Sequence, residues 1–268
     1  SRWRDDLGRR ETWSETIQRF VDFMKENLQD SLTDKEYSQI HDALLHQEVV
    51  PSMRLLWASG SAARSTHVAA YNCSYIVPQK LRDFSEIMYI LMCGSAAGFS
   101  VERQNIENLP RIETQSGNKR ETYLVPDTKE GWCDALLSGL ESWYAGDDID
   151  FDYSAIRPKG SRLKTMGGRA MGADPLIDLL SFTKELIVSN QGRQLSSIQV
   201  HDLICKIGEI VEASGKRRAA LISLSDLNDA DKKKKKNGRF YETAPHRSLA
   251  NNSTVYTQKP TPEEFLEE

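Results

Sequence analysis

The sequence predicts an α/β fold, and three observations predict it. A strand–helix–strand succession runs from residue 71 to 102, a helix-to-strand passage recurs at 201–224, and two amphipathic helices precede both. With 268 residues, 39% of them hydrophobic, the chain can bury a sizeable core as one large or two small domains. Lys and Arg number 35 against 39 Asp and Glu, a net charge of −4 that gives no field for a polyanion. Direct nucleic-acid or membrane partners are therefore not expected. The segment Ser1–Asp6 is charged and no apolar run has the length of a signal peptide or a membrane span, so a cytoplasmic protein is expected.

Taken in order, Ser14 is placed to cap a helix whose apolar residues Ile17, Phe20, Val21, Met24 and Leu28 recur at three- and four-residue spacing. Thr33-Asp34-Lys35-Glu36 is a capping box for a second helix, with Tyr37, Ile40, Leu44 and Leu45 on its buried face. Arg54-Leu55-Leu56-Trp57 and Cys73-Ser74-Tyr75-Ile76-Val77 read as short strands, Asp83 to Met92 as a helix, and Gly98 to Glu102 as a strand. Between about 104 and 157 a helix carrying Trp132, Leu136, Leu137, Leu140 and Trp143 ends at Ala145-Gly146 and reads as part of an inserted subdomain. Asp174-Pro175 opens a helix through Val188, His201 to about Ala213 forms another, and Ala219–Leu224 returns as a strand. Lys232–Lys236 reads as a solvated loop because five like charges repel. Thr261-Pro262-Glu263-Glu264 starts a helix, and the chain ends within two turns of it, which is expected to be an interruption.

Four cysteines, Cys73, Cys93, Cys133 and Cys205, lack CxxC spacing or a nearby His cluster, so neither a metal site nor a disulfide framework is expected. Cys73, flanked by Asn72 and Ser74, can point its sulfur off one face of a strand, and the small residues Gly94 to Gly98 follow twenty residues later. Together they suggest a thiol facing a phosphorylated small molecule, although the commoner reading of a strand cysteine is a small buried hydrophobe.

Seven stretches in order resemble the adenosylcobalamin-dependent (class II) ribonucleotide reductases of the monomeric ribonucleoside-triphosphate type. They are Gly8–Trp13, Met53–Ala58, Tyr71–Ser74, Gly98–Arg103, Pro158–Thr165, His201–Leu203 and Arg247–Ser253. The resemblance implies part of a ten-stranded α/β barrel with N-terminal helices and an inserted subdomain. It divides the chain into an N-terminal helical region (1–50), the first part of the barrel (51–103), an insertion supporting effector binding (104–157) and a barrel continuation with specificity loops (158–268), truncated at its C-terminus. The implied chemistry is thiyl-radical reduction of a ribonucleoside triphosphate, with adenosylcobalamin as radical source and a dithiol such as thioredoxin as reductant. Cys73 corresponds to the redox-pair cysteine nearest the 2′ position, while Cys93, Cys133 and Cys205 match no family thiol and read as structural. Asn72 lines the ribose, Gly98 lies where the backbone approaches the sugar, and Ser52 corresponds to a hydroxyl near the substrate phosphates or serves as a turn residue.

Ser214–Ala220 resembles the loop through which a deoxynucleoside triphosphate effector sets base preference, with Gly215 and Arg217 as its contacts. The family pattern there is Gly-Gly-Val-Arg-Arg-Ser-Ala, so Ser214, Lys216 and Ala219 depart from it. Lys159, Arg162, Lys164 and Arg169 resemble the companion effector loop, and equally suit an ordinary basic surface loop. The family's Asn-Pro-Cys-Gly-Glu radical loop does not occur in this sequence. The expected partners therefore include a complementary chain carrying that loop. Two rival readings remain open: a non-catalytic nucleotide-binding or assembly subunit of a split reductase, and a fragment of a diiron-dependent reductase.

Overall fold

The computed structural model describes residues 2–162, 169–213, 219–229, 231 and 235–267. It divides into two compact units, Ser1–Asn72 and Cys73–Glu268.

The first unit begins with a two-stranded antiparallel pair, β1 (Trp3–Arg4) and β2 (Arg9–Arg10), followed by helices α1 (Trp13–Leu28) and α2 (Asp34–Leu45). Both helices open with a capping box. Thr33 and Glu36 form the expected one, whereas α1 starts earlier than the sequence suggested and is capped by Thr12 with Glu15, not by Ser14. Thr12 wins because Glu15 falls three residues after it, where its carboxylate reaches back to the Thr12 N–H at 2.7 Å. Ile17, Phe20, Val21, Tyr37, Leu44 and Leu56 make this unit's core.

Arg54–Trp57, expected as a strand, is instead part of helix α3 (Met53–Ala58), followed by the short α4 (Ser61–Ser65). Leu55-Leu56-Trp57 is a short apolar run that suits strand and helix alike, and the end of α3 is held by cations. Arg19 donates to the carbonyls of Leu56 (3.2 Å) and Ser59 (2.6 Å), Arg2 donates to that of Ala58 (3.0 Å), and Glu11 receives Arg19 at 2.8 Å. Guanidinium groups thus satisfy carbonyls that the last turn leaves without helical partners.

The second unit is built on a four-stranded, wholly parallel sheet in the order β3 (Cys73–Ile76), β4 (Ala96–Ser100), β7 (Leu221–Asp226), β8 (Ala250–Val255). Helix α5 (Leu81–Met92) crosses from β3 to β4, and its Asp83 carboxylate accepts from the N–H groups of Gln79 and Lys80 at 2.7 and 2.8 Å. Gly94, at φ +82, supplies the left-handed turn back into β4. Between β4 and β7 lie α6 (Arg103–Ile106), β5 (Tyr123–Leu124), α7 (Lys129–Tyr144), β6 (Phe151–Asp152), α8 (Asp174–Val188) and α9 (Ser197–Ala213). Residues 104–157 contribute Trp132, Leu136, Leu140 and Trp143 to the same core as Phe84, Phe99, Leu176 and Leu203. Gly146, at φ +79, stands so close to the Thr114 carbonyl that a Cβ would meet it at 2.2 Å. The turn ending α7 therefore requires glycine.

Strand β8 was not expected from the sequence, because Ala250-Asn251-Asn252-Ser253-Thr254-Val255 carries almost no hydrophobic alternation. The lysine run also differs from expectation. Residues 232–234 lie outside the described residues, but Lys235 is only 6% exposed and Lys236 Nζ donates to the Ala250 carbonyl at 2.6 Å. The end of the run packs against β8 instead of standing in solvent. The helix expected at Thr261 is present as Pro262–Glu267, with Thr261 and Glu264 exchanging capping bonds.

Candidate active site

Register partners in a parallel sheet share a face, so the pairings sort every side chain. One face carries Ile76, Phe99, Ser223 and Asn252 in a row, and Ala97, Leu221 and Ala250 in the row before it; its apolar members join the helical core. The other carries Tyr75, Gly98, Ile222 and Asn251 in one row, with Cys73 and Ala96 in the row before and Ser100, Leu224 and Ser253 in the row after. This second face is open. Tyr75 is 52% exposed, Ile222 41%, and Cys73 and Asn251 are exposed as well. Parallel sheets are normally covered on both faces, so an open one bearing a tyrosine, an isoleucine and a thiol marks a surface with a use.

Of the four cysteines only Cys73 is exposed; Cys93, Cys133 and Cys205 are buried. Gly98 is buried, because Tyr75 and Ile222 lean over it. A Cβ there would meet Tyr75 Cδ2 at 3.0 Å and Ile222 Cγ2 at 3.2 Å. The missing side chain thus lets two apolar groups close over β4. Ser52 caps α3, its Oγ receiving the Leu55 N–H at 3.5 Å, and belongs with Asn72 to the first unit. Cys73 and Gly98 belong to the second.

On the covered side, two segments noted in the sequence meet. Asp202 of α9 receives Arg247 through two bonds, Nε to Oδ1 at 2.7 Å and Nη2 to Oδ2 at 2.6 Å. The adjacent His201, wholly buried, lies with Nε2 3.2 Å from Asn252 Oδ1 and packs against the Phe99 ring. Its ring is 3.7 Å from Cys205 Sγ, which places that thiol in the helical core. Burial pushes the Asp202 carboxyl up, but hydrogen bonding to His201, His246 and Arg247 outweighs it and leaves the group well below the usual carboxylate range. His246 Nε2 and His201 Nδ1 lie 3.5 and 3.4 Å from Oδ1, long for hydrogen bonds, whereas Arg247 reaches both carboxylate oxygens.

At the strands' C-terminal ends, Ser100 Oγ receives Asn105 Nδ2 at 2.8 Å and contacts Glu102 Oε2 at 2.7 Å. Asp226 accepts the Arg103 N–H at 2.7 Å, tying β7 to the exit of β4.

The two arms that flank the basic loop pair with each other. Gly160 and Ser161 exchange backbone bonds with Ala170, Arg162 pairs with Arg169 across an antiparallel bridge, and Arg169 donates to the Gly160 carbonyl at 3.0 Å. Lys159, Arg162 and Arg169 are exposed on these arms. Lys164, Gly215 and Arg217 lie outside the described residues. Among the described residues no cluster of His, Cys, Asp or Glu is placed to hold a metal ion, and no helix is long and apolar enough to cross a membrane.

Residues 97–187 match the family described as B12-dependent ribonucleotide reductase, insertion domain. Adenosylcobalamin-dependent ribonucleoside-triphosphate reductase of Euglena gracilis is 30% identical over 94% of this chain and 37% of its own length. The enzyme of that name from Lactobacillus leichmannii is 30% identical over 95% of this chain and 43% of its own length. A crystal structure of a B12-dependent (class II) ribonucleotide reductase superposes with a TM-score of 0.77 at 25% identity, covering 95% of this chain and 44% of that one. The chain is thus similar to the class II ribonucleotide reductases across nearly all of its length, and residues 97–187 match their insertion domain. It spans about two fifths of the length of the relatives it matches. The α/β architecture with a parallel sheet is thus as expected.

Sequence reasoning passed over Tyr75, Ile222 and Asn251, which form the open face with Cys73. Tyr75 was within reach, since it stands two residues after Cys73 on a strand. Asn251 was not, because β8 itself went unseen.

Proposed function

We propose that this chain is part of an adenosylcobalamin-dependent ribonucleoside-triphosphate reductase, and that the open face of its sheet lies inside the family's barrel and receives the ribonucleotide. The observation that carries this reading is the position of Cys73, an exposed thiol heading a strand on the uncovered face of a parallel sheet. In the reaction the ribose loses its 2′ hydroxyl as water and takes hydrogen in its place. Cys73 and a second thiol each give up a proton and together two electrons, joining as a disulfide that an external dithiol such as thioredoxin reduces. No second thiol among the described residues suits that role, because the other three cysteines are buried. It would come from a segment or chain that also carries the radical loop.

The exposed residues Cys73, Tyr75, Ile222 and Asn251 suit a nucleotide, and none is assigned to the corrin. Adenosylcobalamin, when bound by the remaining parts of the enzyme, supplies the radical. Lys159, Arg162 and Arg169 are proposed to hold the phosphates of a deoxynucleoside triphosphate effector with Lys164, Gly215 and Arg217. Two arginines facing each other across a bridge repel, and an anion between them relieves that repulsion.

The test mixes this chain with one supplying the radical loop, together with adenosylcobalamin, a dithiol and each ribonucleoside triphosphate. Deoxynucleotide should form with the wild type and not with Cys73→Ser, while nucleotide binding persists. Normal dithiol-dependent turnover by Cys73→Ser would sink the assignment. Arg217→Ala should flatten the effector's influence on substrate choice by about 1–3 kcal/mol of coupling, and an unchanged response would remove that residue from the effector site.

A further inference from the structure

Cys73, Tyr75 and Ile222 have roles on the open face as a thiol and two apolar groups, but Asn251 has none so far. Asn251 is exposed as the second residue of β8, in register with Ile222 and through it with Gly98 and Tyr75. A polar side chain ending an apolar row is a hydrogen-bonding group aimed at whatever the row receives.

The strand itself is fixed at three points. Asn252 is held by His201, Arg247 just before the strand is locked to Asp202, and the Ala250 carbonyl receives Lys236. Because side chains alternate along a strand, securing Asn252 on one face determines where Asn251 stands on the other. A partly buried ion pair adds little net stability compared with apolar packing, but its two parallel bonds fix where α9 and the entry to β8 meet. Holding a strand of such low hydrophobicity in one register is the task this pair performs.

Reach decides which part of a nucleotide Asn251 meets. Strands β3 and β8 are three inter-strand spacings apart, about 14 Å. A ribose in contact with Cys73 therefore leaves Asn251 at the distance of the base or the far phosphates. An uncharged amide, offering an acceptor and two donors, matches a base edge better than a phosphate.

We infer that Asn251 is a further substrate-contacting residue that hydrogen-bonds the base, and that Asp202 is a positioning residue that aims it by clamping β8 through Arg247. The inference rests on the open face being the nucleotide site, as proposed above.

The experiment follows alkylation of Cys73 by iodoacetamide in the full chain with increasing CTP, UTP, ATP or GTP, and with tripolyphosphate as a probe without a base. Nucleotide should protect the wild-type thiol. Asn251→Ala should raise the protecting concentration about five- to tenfold, unequally among the four bases, with tripolyphosphate protection and the thermal midpoint unchanged. Asp202→Asn should reproduce the change in base discrimination as well as lower the thermal midpoint. The double variant should show no further loss of protection, as expected when two residues act through one contact. If Asp202→Asn lowers only the thermal midpoint, its role is merely structural and the positioning claim falls. If Asn251→Ala matches the wild type, or weakens tripolyphosphate equally, the base contact is overturned. If no nucleotide protects the wild type, the open face is not the nucleotide site and both readings fall together.

Discussion

The two faces of the parallel sheet come from the same strands yet follow different rules. On the covered face Phe99, Ala97, Leu221 and Ala250 are almost wholly buried, and the polar side chains are tied to partners, as Asn252 is to His201. On the open face Tyr75 and Ile222 stand in solvent, and Cys73 and Asn251 beside them are exposed too. The difference teaches that alternate residues of one strand can be chosen separately, one set for packing and the other for exposure, because strand periodicity sends them to opposite sides.

Substitutions sharpen this contrast. The largest effect is expected from Phe99→Ala on the covered face, which should lose about 3–5 kcal/mol of stability in a denaturant titration. Tyr75→Ala on the open face should change it by only about 0.5 kcal/mol. Equal losses would mean that the open face is packed in solution.

Next in size is Asp202→Asn, expected to cost about 2 kcal/mol by weakening the charge-assisted bonds of the partly buried Arg247. The sign of its pH dependence follows from the lowered carboxyl pKa. Its contribution is fully present above the unfolded carboxylate pKa of about 3.9 and is lost as the pH falls through the lower folded value. Acid melts of wild type and variant should therefore converge only well below pH 4, and a gap that closes near neutrality would contradict the ion pair.

Gly98→Ala should cost about 1 kcal/mol or less, because the Tyr75 and Ile222 side chains it meets are exposed enough to swing outward. Tyrosine fluorescence should report the displacement of Tyr75, and a loss near that of Phe99→Ala would show both groups to be immovable. Smallest of all is Cys73→Ser, within about 0.5 kcal/mol of wild type, with the native chain losing its one rapidly alkylated thiol. If a second thiol reacts as fast before unfolding, the distinction between Cys73 and the three buried cysteines fails.

By itself the sequence determined the helices whose ends carry side-chain caps and the strand–helix–strand core. Capping bonds and hydrophobic periods act within a few residues, so Thr33 with Glu36, Thr261 with Glu264, and the apolar face of Leu81–Met92 are legible from neighbours alone. It also singled out Cys73, through its place on a strand and its family resemblance. Only tertiary structure decided that Arg54–Trp57 is helical, because the arginines that hold its end come from residues 2 and 19. Only tertiary structure made Ala250–Val255 a strand, because β7 on one side and His201, Asp202 and Lys236 around it supply what its own side chains lack. Local bonds are written in adjacent residues, whereas a ladder or a partly buried ion pair spanning 45 residues exists only once the chain has brought its partners together.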